Sequence, residues 1–169
     1  MLGAQAATNP IWDLEGAKCF LVVSSNVTEE QNVVAVPIKK AVGNGASLIV
    51  IDPRETELTR YATRWLRPVP GSETALIGGM LRVIVDESLD DHDFLGDRCE
   101  DAKLLRDSLW QFDLLKVSAL TSIPQAEIQE AARLLAASNP CAFIYALETL
   151  EPEQRDSCVR AIINLALIT

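Results

Sequence analysis

Ser47-Leu48-Ile49-Val50-Ile51-Asp52-Pro53-Arg54 is the stretch on which the fold turns. Four consecutive branched apolar residues fit a short strand buried on both faces, as in a parallel sheet covered by helices. Asp52 falls where such a strand ends, and Pro53 has no N–H with which to extend the ladder. Arg54 follows at once. Open α/β sheets bind ligands beyond the carboxyl ends of their strands, so a carboxylate and a guanidinium placed here form a candidate binding edge. An N-cap aspartate beside a surface arginine accounts for the same residues, and the local pattern leaves both readings open.

Upstream, Cys19-Phe20-Leu21-Val22-Val23 reads as a first strand, with Ser24-Ser25-Asn26-Val27-Thr28 as the loop at its carboxyl end. Val33 to Val42 has helical apolar spacing and stops at Gly43-Asn44-Gly45. Strand, helix and strand in this order make a βαβ unit, whose crossover is expected to be right-handed. Downstream, Glu55 to Ala62 suits a short helix and Arg64 to Arg67 a brief third strand, closed by Pro68-Val69-Pro70-Gly71-Ser72. Ser72 is the expected N-cap of a helix over Glu73 to Glu87, in which Gly78-Gly79 suggests close packing against the sheet.

Residues 89 to 138 read as a mostly helical insertion. Within it Ser122 and Gln125 are spaced as a capping box for a helix running to Ala137. Cys141 to Ala146 is the fourth strand, and a last helix starts near Pro152. That helix ends without a C-cap in its most apolar section. An uncovered face of this kind predicts a single α/β domain spanning residues 1–169 that is part of a larger polypeptide.

Composition narrows the functional classes. The chain is 49% hydrophobic with 15 basic against 24 acidic residues, a net charge of −9. An acidic globular domain is a poor match for nucleic-acid backbone or an anionic membrane surface, and no apolar run is long enough to span a bilayer. Cys19, Cys99, Cys141 and Cys158 are scattered without a CxxC or Cys/His cluster, which argues for free thiols in a reducing, cytoplasmic setting rather than a metal site. His92, the sole histidine, sits among Asp90, Asp91 and Asp93 as in a solvated helix start, and no serine has a histidine to activate it. No catalytic residue is expected. Ser24 to Glu29 follows the first strand and its amides could face a phosphate, but it lacks the glycines of a G-x-G-x-x-G fingerprint, and taken alone an ordinary polar loop is the favoured reading.

In order along the chain stand Thr8-Asn9-Pro10-Ile11, Phe20 to Glu29, Gly45 to Glu57, Pro70-Gly71-Ser72-Glu73-Thr74-Ala75-Leu76 and Asn164-Leu165-Ala166-Leu167. Taken as an ordered set, these motifs resemble the molybdopterin oxidoreductases, most closely the catalytic subunits of formate dehydrogenases. The resemblance implies a three-layer Rossmann-like α/β domain with a mainly parallel sheet and a helical insertion. It further implies that the domain holds the guanosine and phosphate part of a molybdopterin guanine dinucleotide carrying molybdenum or tungsten. On that basis Ser25, Asn26 and Glu29 belong to the first phosphate-and-pterin loop, Asp52 and Arg54 meet the nucleotide, and Ser72 and Glu73 lie near the guanine.

An iron–sulfur cluster and the metal-ligating residue would lie outside this chain. Its partners would be the other domains of the parent polypeptide and electron-transfer subunits. The parent would oxidise formate to carbon dioxide while this piece alone stays inactive.

Several positions depart from the family pattern. Ser24 stands where the family usually has glycine, and Glu73 where it usually has aspartate. No His-Pro stands near Gln31-Asn32, and the segment after the fourth strand carries Glu148, Glu151 and Glu153 in place of a glycine-and-Gln-His run. Two other readings stay open: another enzyme of the family, such as a nitrate reductase, or a structural domain that has lost the cofactor, as in the large iron–sulfur subunit of respiratory complex I.

Overall fold

A computed structural model describes residues 9–91, 102–148 and 150–169. Thr8, His92 and Cys99, which figure in the sequence reading, lie outside the described residues. Four strands form one sheet: β1 (Cys19–Val23), β2 (Ser47–Ile51), β3 (Arg64–Leu66) and β4 (Cys141–Tyr145). All neighbouring pairs are parallel, in the order β3-β2-β1-β4. β1 and β2 bury every residue except Ser47, as continuous apolar strands covered on both faces must. The four-residue runs of Val, Ile, Leu and Phe therefore form the centre of the molecule, and the shorter β3 and the half-buried β4 form its edges.

Alternation along the strands feeds two separate cores. Phe20, Val22, Leu48 and Val50 point to one side, where they meet Ala35, Ile38 and Ala41 of helix α2 (Asn32–Gly43). Leu21, Val23, Ile49 and Ile51 point to the other, where helices α3 (Glu73–Asp86), α6 (Gln125–Ala136) and α7 (Pro152–Ile168) cover them. The result is the three-layer α/β architecture expected from the sequence. Between α3 and α6 lie α4 (Ala102–Ser108) and α5 (Leu114–Thr121), which add the helical insertion. A one-turn helix, α1 (Val27–Glu30), occupies the loop after β1, where the sequence suggested no helix. The segment 55–62 contains only a 3-10 turn, Leu58–Tyr61, rather than an α-helix.

Several local expectations are corrected. Ser72 sits at the N-cap position of α3 but makes no cap, because its hydroxyl donates to the Val69 carbonyl at 2.6 Å and so closes the preceding turn. Ser122 is the left-handed C-cap of α5 (φ 60), not the N-cap of α6, and the capping box with Gln125 does not form.

Gly78 and Gly79 face helix α5 and the turn before it, not the sheet. A Cβ on Gly78 would lie 2.5 Å from the Phe112 ring, and one on Gly79 would lie 2.9 Å from a Val117 methyl. Two adjacent glycines thus let the insertion approach α3 closely. The apolar residues of α7 are not left open either, since Ile162, Leu165 and Ile168 are buried in the same core as α3.

Candidate functional site

The ladders run one residue past the ends of the central strands. Ser24 N–H donates to Ile51 O at 2.8 Å, Asp52 N–H to Leu66 O at 3.3 Å and Ala146 N–H to Val23 O at 3.2 Å. The carboxyl-terminal edge is therefore fixed by backbone hydrogen bonds before any side chain is considered. Strand order reverses between β1 and its two neighbours β2 and β4, since the chain adds β2 and β3 on one side and β4 on the other. Such a switch point leaves a crevice beyond the strand ends.

A cavity of about 350 Å³ lies at this edge, lined by Ser24, Asp52, Pro53, Arg54, Pro70, Gly71, Glu73 and Leu150. Asp52 is fully buried, and its carboxylate faces inward to its own neighbour. Oδ1 accepts from Arg54 N–H at 2.8 Å and Arg54 Nε at 3.0 Å, and Oδ2 accepts from Arg54 Nη2 at 3.0 Å. These bonds raise the Arg54 pKa above its ordinary value, with Glu30 and Glu29 adding to the effect through their charge. Trp65 Nε1 on β3 donates to Asp52 O, and Arg67 Nε just after that strand donates to Pro53 O, each at 2.9 Å, so the 52–54 turn is held from outside as well. Asp52 is thus a positioning group. Arg54, with its side chain 48% exposed, is the group left to meet a ligand.

Two oxygens at the cavity are buried with no hydrogen-bond partner, Ser24 Oγ and Glu73 Oε2. Buried polar atoms are nearly always paired, and an unpaired one costs about 1–3 kcal/mol. Two around one cavity point to a ligand that supplies both partners. Ser24 has φ 49, in the left-handed region that favours glycine. That conformation suits the glycine that the resemblance implies for this position, and the serine here brings a hydroxyl to the cavity. Glu73 opens α3, so its carboxylate is held at a helix N-terminus. Gly71, with φ 86, makes the turn that allows Glu73 to reach inward.

Among the residues expected from the sequence, the structure brings Asp52, Arg54 and Glu73 to this cavity. Ser72 lines a neighbouring cleft of about 510 Å³ that shares Pro70 and Gly71 with it. Ser25 is buried in the loop after β1, and Asn26 spends its side-chain oxygen on the Thr28 hydroxyl at 2.9 Å. Glu29 is exposed on α1 and acts on Arg54 only through its charge. Sequence reasoning missed Ser24 and Leu150 as lining residues. The departure from glycine at position 24 was the available signal for the first. For Leu150 there was none. The acidic run from Glu148 also has a cation on it: Arg155 donates to Leu150 O at 2.7 Å and to Glu148 O at 2.9 Å, tying this loop to α7.

A cation at Arg54, a hydroxyl at Ser24 and an unpaired carboxylate oxygen at Glu73 can together hold a ligand that carries both an anionic group and hydrogen-bond donors at the edge of the sheet. Comparison with known proteins identifies the family. The molybdopterin oxidoreductase family model matches residues 2–169, and the chain belongs to that family.

The chain is 34% identical over 167 residues to the F420-dependent formate dehydrogenase 2 subunit alpha of Methanococcus maripaludis, covering 99% of the chain and 25% of that protein. It is 30% identical over 162 residues to the assimilatory nitrate reductase catalytic subunit of Bacillus subtilis, covering 96% of the chain and 23% of that protein. Among solved structures, acetylene hydratase from Pelobacter acetylenicus matches with a TM-score of 0.83 at 30% identity, over 90% of this chain and 21% of that one. The chain spans about a quarter of the length of the curated relatives it matches. Family membership implies a molybdopterin cofactor. No helix among the described residues is long and apolar enough to cross a membrane.

Proposed function

We propose that this chain is the nucleotide-cradling domain of a larger molybdopterin oxidoreductase that oxidises formate to carbon dioxide. The observation that carries the reading is the pair of partnerless buried oxygens, Ser24 Oγ and Glu73 Oε2, on one cavity with the Arg54 guanidinium. Arg54 would grip a phosphate of the guanine dinucleotide form of the cofactor, oriented for that purpose by Asp52. The Ser24 hydroxyl would donate to a phosphate or ribose oxygen. The Glu73 carboxylate would accept from the N–H groups on the guanine edge, and that choice sets guanine apart from adenine. Ser25, Asn26, Glu29 and Ser72 would shape the flanking loops.

When bound, the cofactor supplies two-electron redox chemistry at molybdenum or tungsten; the residues here bind and orient it. The iron–sulfur cluster and the remaining cofactor contacts would come from the rest of the polypeptide, with electron-transfer subunits as partners. Among the described residues Cys19, Cys141 and Cys158 are free thiols, which supports a reducing compartment such as the cytoplasm. The formate assignment rests on the formate dehydrogenases among the relatives.

Calorimetry with GDP tests the cradle. Saturable binding that is lost in Arg54→Ala and absent with ADP is expected, and equal binding of GDP and ADP would overturn the guanine assignment. Formate-dependent reduction of a viologen dye by the whole polypeptide tests the substrate. Dye oxidation driven by nitrate, without formate activity, would move it to the nitrate reductase reading. The acidic residues Glu148, Glu151 and Glu153 favour the cofactor-free alternative, which predicts no guanine nucleotide or molybdopterin in the purified whole polypeptide.

A further inference from the structure

At the opposite end of the sheet, away from the nucleotide edge, two cysteines stand side by side. Cys19 opens β1 and Cys141 opens β4, and the two are direct partners in the parallel register. Both side chains enter the core beneath α6, where Cys19 is fully buried and Cys141 is half-buried and packed against the same cluster. Adjacent strands hold partnered Cα atoms about 4.8 Å apart, inside the range of about 4.4 to 6.8 Å that disulfides span. Neither thiol takes part in the cradle described above.

We propose that Cys19 and Cys141 form a peroxide-sensitive dithiol that closes reversibly to a cross-strand disulfide. The two thiols differ in the way such chemistry needs. Cys141 is half-buried and open to a small oxidant, whereas Cys19 is fully buried, its thiol pushed upward by contact with Cys141 and by burial. Cys141, nearer solvent, is therefore the attacking sulfur, and Cys19 is the one that resolves.

The Cys141 thiolate attacks a hydroperoxide, its sulfur gaining an S–O bond as the O–O bond breaks, and becomes a sulfenic acid while an alcohol or water leaves. Cys19 sulfur then attacks that sulfur, the S–O bond breaks, and the Cys19 proton departs with the hydroxyl as water. For hydrogen peroxide the balance is two thiols and one peroxide giving one disulfide and two waters. A dithiol reopens the bond by thiol–disulfide exchange and returns both thiols.

Trypsin separates the relevant cysteines: Cys19 falls in peptide 19–39, Cys141 in 134–155 and Cys158 in 156–160. The full chain is treated with hydrogen peroxide, quenched with an alkylating agent and mapped without reduction. The expected result is a 19–39/134–155 cross-linked peptide that dithiothreitol abolishes, with Cys158 alkylated as before. Cys19→Ala should stop at the Cys141 sulfenic acid, trapped by dimedone, and Cys141→Ser should leave Cys19 unoxidised. The wild-type map decides the matter even if Cys19→Ala does not fold. Over-oxidation of Cys141 beside a free Cys19, a cross-link from either to another cysteine, or no reaction would each overturn the proposal.

Discussion

Arg54 folds back onto Asp52. Three N–H groups of one arginine, its backbone amide at 2.8 Å and Nε and Nη2 at 3.0 Å, converge on the carboxylate that ends strand β2. The carboxylate has no solvent exposure, whereas the arginine side chain keeps 48% of its own. A buried anion thus aims an accessible cation. Arg54→Ala should cost about 1–3 kcal/mol, because it removes two charge-assisted bonds from a buried carboxylate. Asp52→Ala should cost a similar amount, and the double variant less than the sum of the two, since the second change removes a group already orphaned. Urea unfolding of the four proteins measures the coupling, and strict additivity would show that the pair is not a unit.

Glu73 sets stability against binding. Its partnerless oxygen costs about 1–3 kcal/mol, and a carboxylate at a helix N-terminus returns only about 0.3–1 kcal/mol. Glu73→Met, of similar size and without the oxygens, is expected to stabilise the ligand-free chain by about 1 kcal/mol. The same change should weaken GDP binding about ten-fold or more, the loss of a hydrogen bond to a charged group. A thermal melt and a titration on the same sample read both effects. A variant that is less stable and binds GDP as before would contradict the assignment.

The close approach of α3 to the turn before α5 depends on Gly78. A methyl there would stand 2.5 Å from the Phe112 ring. Alanine favours a helix over glycine by about 1 kcal/mol, but overpacking costs about 1–3 kcal/mol, so Gly78→Ala should destabilise on balance. Adding Phe112→Leu should restore part of the loss. Chemical denaturation of the two variants checks this, and an unchanged or raised stability in Gly78→Ala alone would show that the ring moves aside without cost.

Glu87 and Arg133 join the end of α3 to α6 through two bonds of 2.7 Å. The hydrogen bonds from Arg133 hold the Glu87 pKa below the ordinary carboxylate value. A carboxylate whose folded pKa is depressed contributes stability above its unfolded pKa, and that contribution is lost as pH falls through the folded value. Arg133→Ala should therefore lower stability at neutral pH and leave it unchanged at a pH below the folded value. The pair is solvent-exposed, so the difference should shrink in high salt. Melting temperatures across an acid series, at low and high salt, give the comparison.

Much of the fold was legible from the residues. The unbroken apolar runs 19–23 and 48–51 could only be central strands, and Pro53 and Gly43-Asn44-Gly45 marked where strand and helix stop. The errors came where one residue type serves two local ends. Ser122 follows one helix and precedes another, so its spacing to Gln125 predicts the start of α6, whereas the chain uses it to end α5. Ser72 has the right position for a cap, yet the turn before it claims its hydroxyl. Neither competition is visible in a string of letters, because both depend on which carbonyl or amide is nearest.

For the candidate site the division is similar. By itself the sequence determined that a carboxylate and a guanidinium follow a buried parallel strand, since hydrophobic run length and a proline are local properties. Only the tertiary structure decided their roles. Asp52 is spent on Arg54, Glu73 comes inward from the start of α3, 19 residues beyond Arg54, and Ser24 joins them from the end of a different strand. The physical reason is that a buried polar atom is defined by its surroundings. Whether an oxygen is paired, orphaned or aimed at a ligand depends on neighbours that only the closed sheet brings together.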